Sequence, residues 1–254
     1  MKMNTILQGK KVSRIFLQGN KKTAVLDQID LEIYDGDFTV IMGSSGAGKS
    51  TLLYALSGMD QISGGQVFYK GRQISGLKEK QMAKLRAEEF GFVFQQTNLV
   101  SNLTLLENVA VAGYVSRKGS TEEIRERARQ LLKQMNVEKA ENRFPSQVSG
   151  GEAQRAAIAR AMIGQPGLLF ADEPTGALNR SNTTEVLNLL TDLNRSGQSI
   201  LMVTHALRAA ARGNRILYLE DGKVLDELKL PSYSEIQEKA REDKLSQCLS
   251  GLQW

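Results

Sequence analysis

The sequence predicts an α/β fold organised around a phosphate-binding loop, and three observations carry that prediction. Gly43, Ser44, Ser45, Gly46, Ala47, Gly48, Lys49 and Ser50 fit the pattern G-x-x-x-x-G-K-[ST]. The apolar, β-branched run 38–42 precedes them and reads as a buried strand, while 51–57 follows as a helix closed by Gly58. Short apolar runs at 90–94, 168–172 and 199–203 read as further buried strands, with helical stretches between them. A Gly/Ser-rich linker is the plain alternative for residues 43–50, but a linker is not flanked by a hydrophobic strand and an apolar helix.

The residue types at 43–50 dictate the chemistry. Glycines let successive backbone N–H groups turn inward to form a concave anion site, and the helix behind them adds its positive dipole end. Lys49 is placed to reach the β- and γ-phosphates of a nucleotide, and the Ser50 hydroxyl to ligate Mg²⁺.

With 254 residues the chain is long enough for one large domain or a core with a subdomain. Hydrophobic residues make up 41% and charged residues 24%, ordinary for a globular protein. No apolar run approaches the roughly 20 residues of a membrane helix, and the first residues lack a signal-peptide apolar core. A single cysteine, Cys248, excludes an internal disulfide and suits a reducing compartment. The net charge of +5 is dispersed, which fits a solvated exterior better than an anionic partner surface.

In chain order, 11–17 and 24–33 read as antiparallel strands, with Gly19-Asn20 in their connection and an Asp35-Gly36 turn before the loop strand. Phe16 sits where an aromatic can stack on adenine, or equally serve the core. A turn at 63–65, a strand at 66–69 closed by 70–72, and a helix at 78–86 lead to the strand 90–94, which ends in Gln95-Gln96. Thr104 with Glu107, and Ser120 with Glu123, fit capping boxes. Ile124, Ala128, Leu131, Leu132 and Met135 then recur at helical spacing. Ser149, Gly150, Gly151 and Glu152 open an Ala- and Arg-rich helix, 153–162. Ser149 is a helix cap, and the free N–H groups there either are a plain cap or form a second anion site.

The strand 168–173 ends in Asp172 and Glu173. Adjacent strand residues face opposite ways, so a backbone turn at Pro174 lets the two divide their labour. Asp172 can then hold Mg²⁺ through water, while Glu173 can polarise an attacking water. Helix caps are the plain alternative, but they leave two consecutive carboxylates unexplained. A loop at 176–179 and a helix at 183–194 follow. The strand 199–205 ends in His205, the only histidine. A hairpin turns at Asp221-Gly222, and the tail 231–254 reads as charged and helical, with Leu245, Leu249 and Leu252 as contacts.

Together these motifs resemble the ATP-binding subunit of an ABC transporter over residues 10 to about 226. The resemblance aligns 43–50 with the Walker A loop, 168–172 with the Walker B strand and Glu173 with the catalytic glutamate. It aligns Gln95 with the Q-loop glutamine that senses Mg²⁺ and γ-phosphate, and His205 with the switch histidine. Residues 148–152 match the signature motif, with Val148 in place of the usual Leu. It implies catalytic roles for Glu173, His205 and Gln95, and Mg²⁺ contacts for Ser50, Gln95 and Asp172. Nucleotide contacts fall to Phe16, residues 43–50, Thr51, and Ser149, Gly150, Gly151 and Glu152. Phe16 stands where tyrosine is usual, Asn179 replaces the D-loop aspartate, and Ala206 follows His205 where Asp is frequent; none of these removes a catalytic group.

The implied fold is a P-loop NTPase (RecA-like) core with an antiparallel β subdomain and an α-helical signature subdomain. Its expected bounds are 1–95 with 166–227 for the core, 96–165 for the helical subdomain and 228–254 for the tail. The implied activity is hydrolysis of Mg-ATP between two copies of the chain, one giving the phosphate loop, the other Ser149-Gly150-Gly151. The motifs look most like the macrolide-export, lipoprotein-release and peptide-antibiotic detoxification group. A membrane permease subunit is then the expected partner, and the cytoplasmic face of the membrane the expected location. Residues 97–106, unusually apolar for a loop, are the expected docking patch. A soluble ABC ATPase acting on DNA or ribosomes competes, but no basic run points to nucleic acid. A phosphate-loop kinase would leave Ser149-Gly150-Gly151 and His205 unexplained, and intact Lys49 and Glu173 disfavour a non-catalytic binding module.

Overall fold

The computed structural model describes residues 4–19, 21–116 and 118–251; the expectations placed on Asn20 and Leu252 lie outside them. A long hairpin opens the chain, β1 (Thr5–Gln18) and β2 (Lys21–Tyr34), followed by β3 (Phe38–Met42) and helix α1 (Lys49–Leu56). The short hairpin β4 (Gly64–Tyr69) and β5 (Arg72–Gln73) leads to α2 (Glu79–Glu89) and β6 (Phe90–Phe94). Then come α3 (Leu105–Ser116), α4 (Thr121–Gln134), α5 (Gly150–Met162), β7 (Leu168–Asp172) and α6 (Arg180–Arg195). The chain closes with β8 (Ser199–Val203), α7 (Leu207–Ala210), β9 (Arg215–Glu220), β10 (Lys223–Lys229) and α8 (Glu238–Gly251).

The chain divides into two compact units: one holds everything up to Leu77 and from Asn194 onward, the other is Lys78–Leu193. In the first unit, β2, β1, β4 and β5 form an antiparallel sheet in that order. The opening strands run further than their alternation suggested, because register shifts between Gly9 and Arg14 absorb the irregular residues. β8, β3 and β9 lie parallel in that order, with β10 antiparallel against β9. Every residue of β3 and β8 is buried, the continuous apolar pattern of interior parallel strands. Arg215 on β9 holds Glu227 on β10 through two hydrogen bonds, of 2.8 and 3.0 Å, which keeps the Glu227 carboxyl below its ordinary value.

The tail is helical, as its pattern indicated. Leu245 and Leu249 of α8 are buried, and so is Arg241, which donates to the carbonyl oxygens of Ala211, Gly213 and Pro231. Those acceptors include groups freed where α7 ends, so one guanidinium satisfies what the short helix leaves open.

In the second unit, β6 and β7 pair in parallel, and α3, α4 and α5 pack on one another. Phe170 of β7 stacks on Phe92 at 5.4 Å and meets Phe90 edge-on at 5.1 Å. Ile124, Ala128, Leu132 and Met135 are buried as their spacing predicted, while Leu131 is half-buried. The two capping boxes read from sequence form. Thr104 Oγ1 accepts from the Glu107 N–H, whose carboxylate accepts from the Thr104 N–H, and Ser120 with Glu123 repeats the arrangement. Among the described residues no helix is long and apolar enough to cross a membrane.

Candidate functional site

The first unit carries the glycine-rich loop between β3 and α1. Gly48 sits just before α1 at φ 99°, a left-handed conformation that a side chain resists. Gly43 leaves the strand against β9, where a Cβ would lie 2.0 Å from the carbonyl oxygen of Leu219. Only glycine fits there. The Lys49 side chain is buried and runs back along the loop, its Nζ donating to the carbonyl oxygens of Gly43 (2.8 Å) and Ser44 (2.7 Å). The Ser44 hydroxyl donates to Glu220 at the end of β9 (2.7 Å), a restraint the sequence reading missed. Ser45 and Gly46 are exposed, Ala47 is buried, and Ser50 and Thr51 are half-buried in the first turn of α1.

Phe16, on β1, is 40% exposed and therefore not a core residue. The Arg14 guanidinium lies 4.5 Å from its ring and is itself ion-paired with Asp60 at 2.8 Å. His205 is exposed just beyond β8. The next residue, Ala206, starts α7 with no side-chain cap, its N–H donating instead to Thr204 Oγ1 at 3.1 Å. An aspartate there would have supplied the cap that Ala206 lacks.

The second unit carries the remaining candidates. Gln95 is exposed at the end of β6, and Asp172 is half-buried at the end of β7, opposite Phe94. Glu173 differs from expectation. The backbone turns at this residue rather than at Pro174, with φ 45°, and the turn closes by a hydrogen bond from the Gly176 N–H to the Glu173 carbonyl at 3.0 Å. A left-handed glutamate immediately before a proline is costly, and such strain persists only where the surroundings impose it.

Ser149 caps α5 through a complete capping box. Its hydroxyl accepts from the Glu152 N–H (3.2 Å), and the Glu152 carboxylate accepts from the Ser149 N–H (2.8 Å) and hydroxyl (2.7 Å). These bonds hold the Glu152 carboxyl below its ordinary value. Ser149 and Gly150 are exposed, so the positive end of a 13-residue helix faces outward, while Gly151 is buried. Asn179 stands before α6 and accepts from the Asn182 N–H at 3.0 Å. Asparagine and aspartate serve equally well as such caps, so the departure from the family pattern leaves this helix start intact.

Of the apolar stretch 97–106, Leu105 and Leu106 are buried, Leu99 and Leu103 half-buried, and Val100 exposed. More apolar surface lies on the outer face of α3, where Val111, Tyr114 and Val115 are exposed at helical spacing. The sequence reading also passed over Gln154, a polar residue at a core position of α5. Its position one turn after Gly151 and one turn before Ile158, on the same buried face, was the available signal.

Residues 26–176 match the model of a family described as ABC transporter. The chain belongs to the ABC transporter family. Within it, the chain corresponds to the ATP-binding, ATPase part. It is 40% identical over 220 residues to the macrolide export ATP-binding/permease protein MacB of Pasteurella multocida, covering 87% of this chain and 34% of that protein. The chain thus spans about a third of the length of that relative. It is 37% identical over 227 residues to the lipoprotein-releasing system ATP-binding protein LolD of Buchnera aphidicola, covering 89% of this chain and 99% of that protein. The ATP-binding cassette MJ0796, solved as a dimer in a post-hydrolysis state with ADP and Pi, superposes with a TM-score of 0.83 at 38% identity. The match covers 89% of this chain and all of that one. A RecA-like α/β cassette with an antiparallel β sheet is therefore the fold class of this ABC transporter member.

Proposed function

We propose that this chain hydrolyses Mg-ATP as a homodimer and thereby drives a separate membrane permease, for export of or resistance to antimicrobial peptides or lipid-linked substrates. The observation that carries the reading is the phosphate cradle, with Lys49 held in a glycine loop that β3, α1 and β9 fix on three sides. The loop N–H groups and Lys49 bind the phosphates, and Phe16 stacks on adenine with Arg14 behind it. The start of α5, exposed at Ser149 and Gly150 with Gly151 buried behind them, takes the γ-phosphate held by the other copy, which makes ATP the joint between two chains.

The donor set suits magnesium, since Ser50, Asp172 and Gln95 offer only oxygen ligands. Held by these residues, Mg²⁺ would neutralise charge on the transferring phosphoryl group. Glu173 polarises the attacking water, and His205 and Gln95 report the state of the γ-phosphate. The core (1–95 and 166–227), helical subdomain (96–165) and tail (228–254) are the working divisions of this reading. Val100, Val111, Tyr114 and Val115, all exposed, are the surface this reading offers to the permease, and a chain docked there works at the cytoplasmic face of the membrane.

The test is Glu173→Gln, with light scattering with and without Mg-ATP and a phosphate-release assay. Losing general-base assistance lowers hydrolysis by about 10²- to 10⁴-fold. Binding survives, and an ATP-joined dimer accumulates. Hydrolysis at the wild-type rate refutes the role of Glu173, and a slow variant that stays monomeric refutes the homodimer.

A further inference from the structure

Gln154 lies on α5, five residues beyond its cap, and its side chain is buried to 1% exposure. Its Nε2 donates to the carbonyl oxygen of Phe94 (2.9 Å) and to that of Pro174 (2.8 Å). Both partners are carbonyls, so only the amide nitrogen end can face them and the orientation of the side chain is unambiguous. Phe94 directly precedes Gln95, and Pro174 directly follows Glu173. One side chain therefore ties the helix that begins at Ser149 to the backbone beside two further functional candidates.

Neighbouring contacts tighten the same link. Arg160, two turns along α5, donates to the carbonyl oxygens of Thr97 (2.7 Å) and Asn98 (2.6 Å), and its burial lowers its pKa. Gly176, whose N–H closes the Glu173 turn, lies so close to Gln95 that a Cβ would stand 2.9 Å from its Nε2. The loop after β6 and the turn after β7 are thus anchored to α5 and packed on each other.

We infer that Gln154 is a positioning residue that fixes Gln95 and Glu173 by holding the carbonyls of Phe94 and Pro174, coupling both to the start of α5. The inference rests on the proposed function. If α5 meets nucleotide held by the other copy, a displacement of its first turn reaches the catalytic loops of its own chain through this amide. Each ATP would then bear on the hydrolysis of the other, through covalent structure and two hydrogen bonds within one chain.

The test is Gln154→Met, which keeps the volume of the side chain and removes both donors. Nucleotide affinity, kcat and KM, and hydrogen exchange are measured on the full chain. The first-site groups Lys49 and Ser50 are untouched, so the Kd for fluorescent ATP stays at the wild-type value. A small misplacement at the reacting centre costs about 10²-fold, so kcat falls by that order while KM changes little. Amide exchange at 95–98 and 175–176 speeds up, with 121–134 unchanged as the internal reference.

A merely structural role predicts a lower melting temperature with kcat per folded molecule intact, and that result overturns the inference. Should circular dichroism show Gln154→Met unfolded, Gln154→Asn carries the test, since it keeps the amide but is too short to bridge both carbonyls. Wild-type kcat in that variant overturns the inference equally. The Glu173→Gln assay separates the two levels. A fast Glu173→Gln removes the proposed function itself, whereas a slow Glu173→Gln beside a fast Gln154→Met removes only the role of Gln154.

Discussion

Replacing Glu173 by asparagine and by glutamine separates the chemistry of this residue from its backbone strain. Both variants lose the carboxylate, so both should lose about 10²- to 10⁴-fold in hydrolysis. They differ in the left-handed conformation at φ 45°. That conformation costs an ordinary side chain about 1–2 kcal/mol, whereas the short amide of asparagine bonds locally and tolerates it, recovering about 1 kcal/mol. Against this stands one lost methylene, worth about 0.8 kcal/mol when fully buried and about half that at the half-buried Glu173. The asparagine variant should be the more stable by roughly 0.6 kcal/mol, or about 1–2 °C in melting temperature for a chain of this size. Differential scanning calorimetry of the two variants side by side measures the difference. An asparagine variant melting at or below the glutamine variant would refute the claim that the fold holds Glu173 under strain.

Lys49→Ala should abolish most Mg-ATP affinity in a nucleotide-binding titration while leaving the circular dichroism spectrum unchanged, since Lys49 contacts loop carbonyls rather than core. Val111→Glu with Val115→Glu should release the chain from membranes carrying its permease without altering ATP binding; retention in a flotation assay places the docking surface elsewhere. The capping box at Ser149 makes stability pH-dependent in a defined direction. Because the folded Glu152 carboxyl lies below its ordinary value of 4.5, its contribution is complete above that pH and lost as pH falls through the folded value. The melting-temperature gap between wild type and Glu152→Gln should therefore shrink below pH 4.5 and stay constant above it.

Local signals accounted for most element positions. The boxes at Thr104 and Ser120 name their own partner three residues away, so a helix start is written within four residues. The strand 90–94 is legible because its three phenylalanines and Val93 favour a pleated surface, while Gly91 weighs against a helix. What escaped was set by partners distant in sequence. The extension of β1 and β2 to Thr5 and Tyr34 depends on bulges that pairing alone reveals. The turn at Glu173 looked like a turn at Pro174, because proline is the visible breaker and a strained glutamate leaves no mark in composition. Arg241 looks like a solvent-facing residue until the carbonyls it satisfies are known, and the buried face of α5 marks the position of Gln154 but not its partners, which lie 60 and 20 residues away.

The division of the chain also sets an order of events during synthesis. β3, buried along its whole length, finds its neighbours in β8 and β9, which leave the ribosome only after all of Lys78–Leu193. At about 5–20 residues per second the first strands wait on the order of ten seconds or more for those partners. The intervening unit is continuous in sequence and can close while they wait. Apolar strand and phosphate loop are thus exposed together in the nascent chain, a form with unpaired β edges. Slowing translation downstream of Leu193 should lengthen that interval and lower soluble yield, although every residue of the finished protein is unchanged.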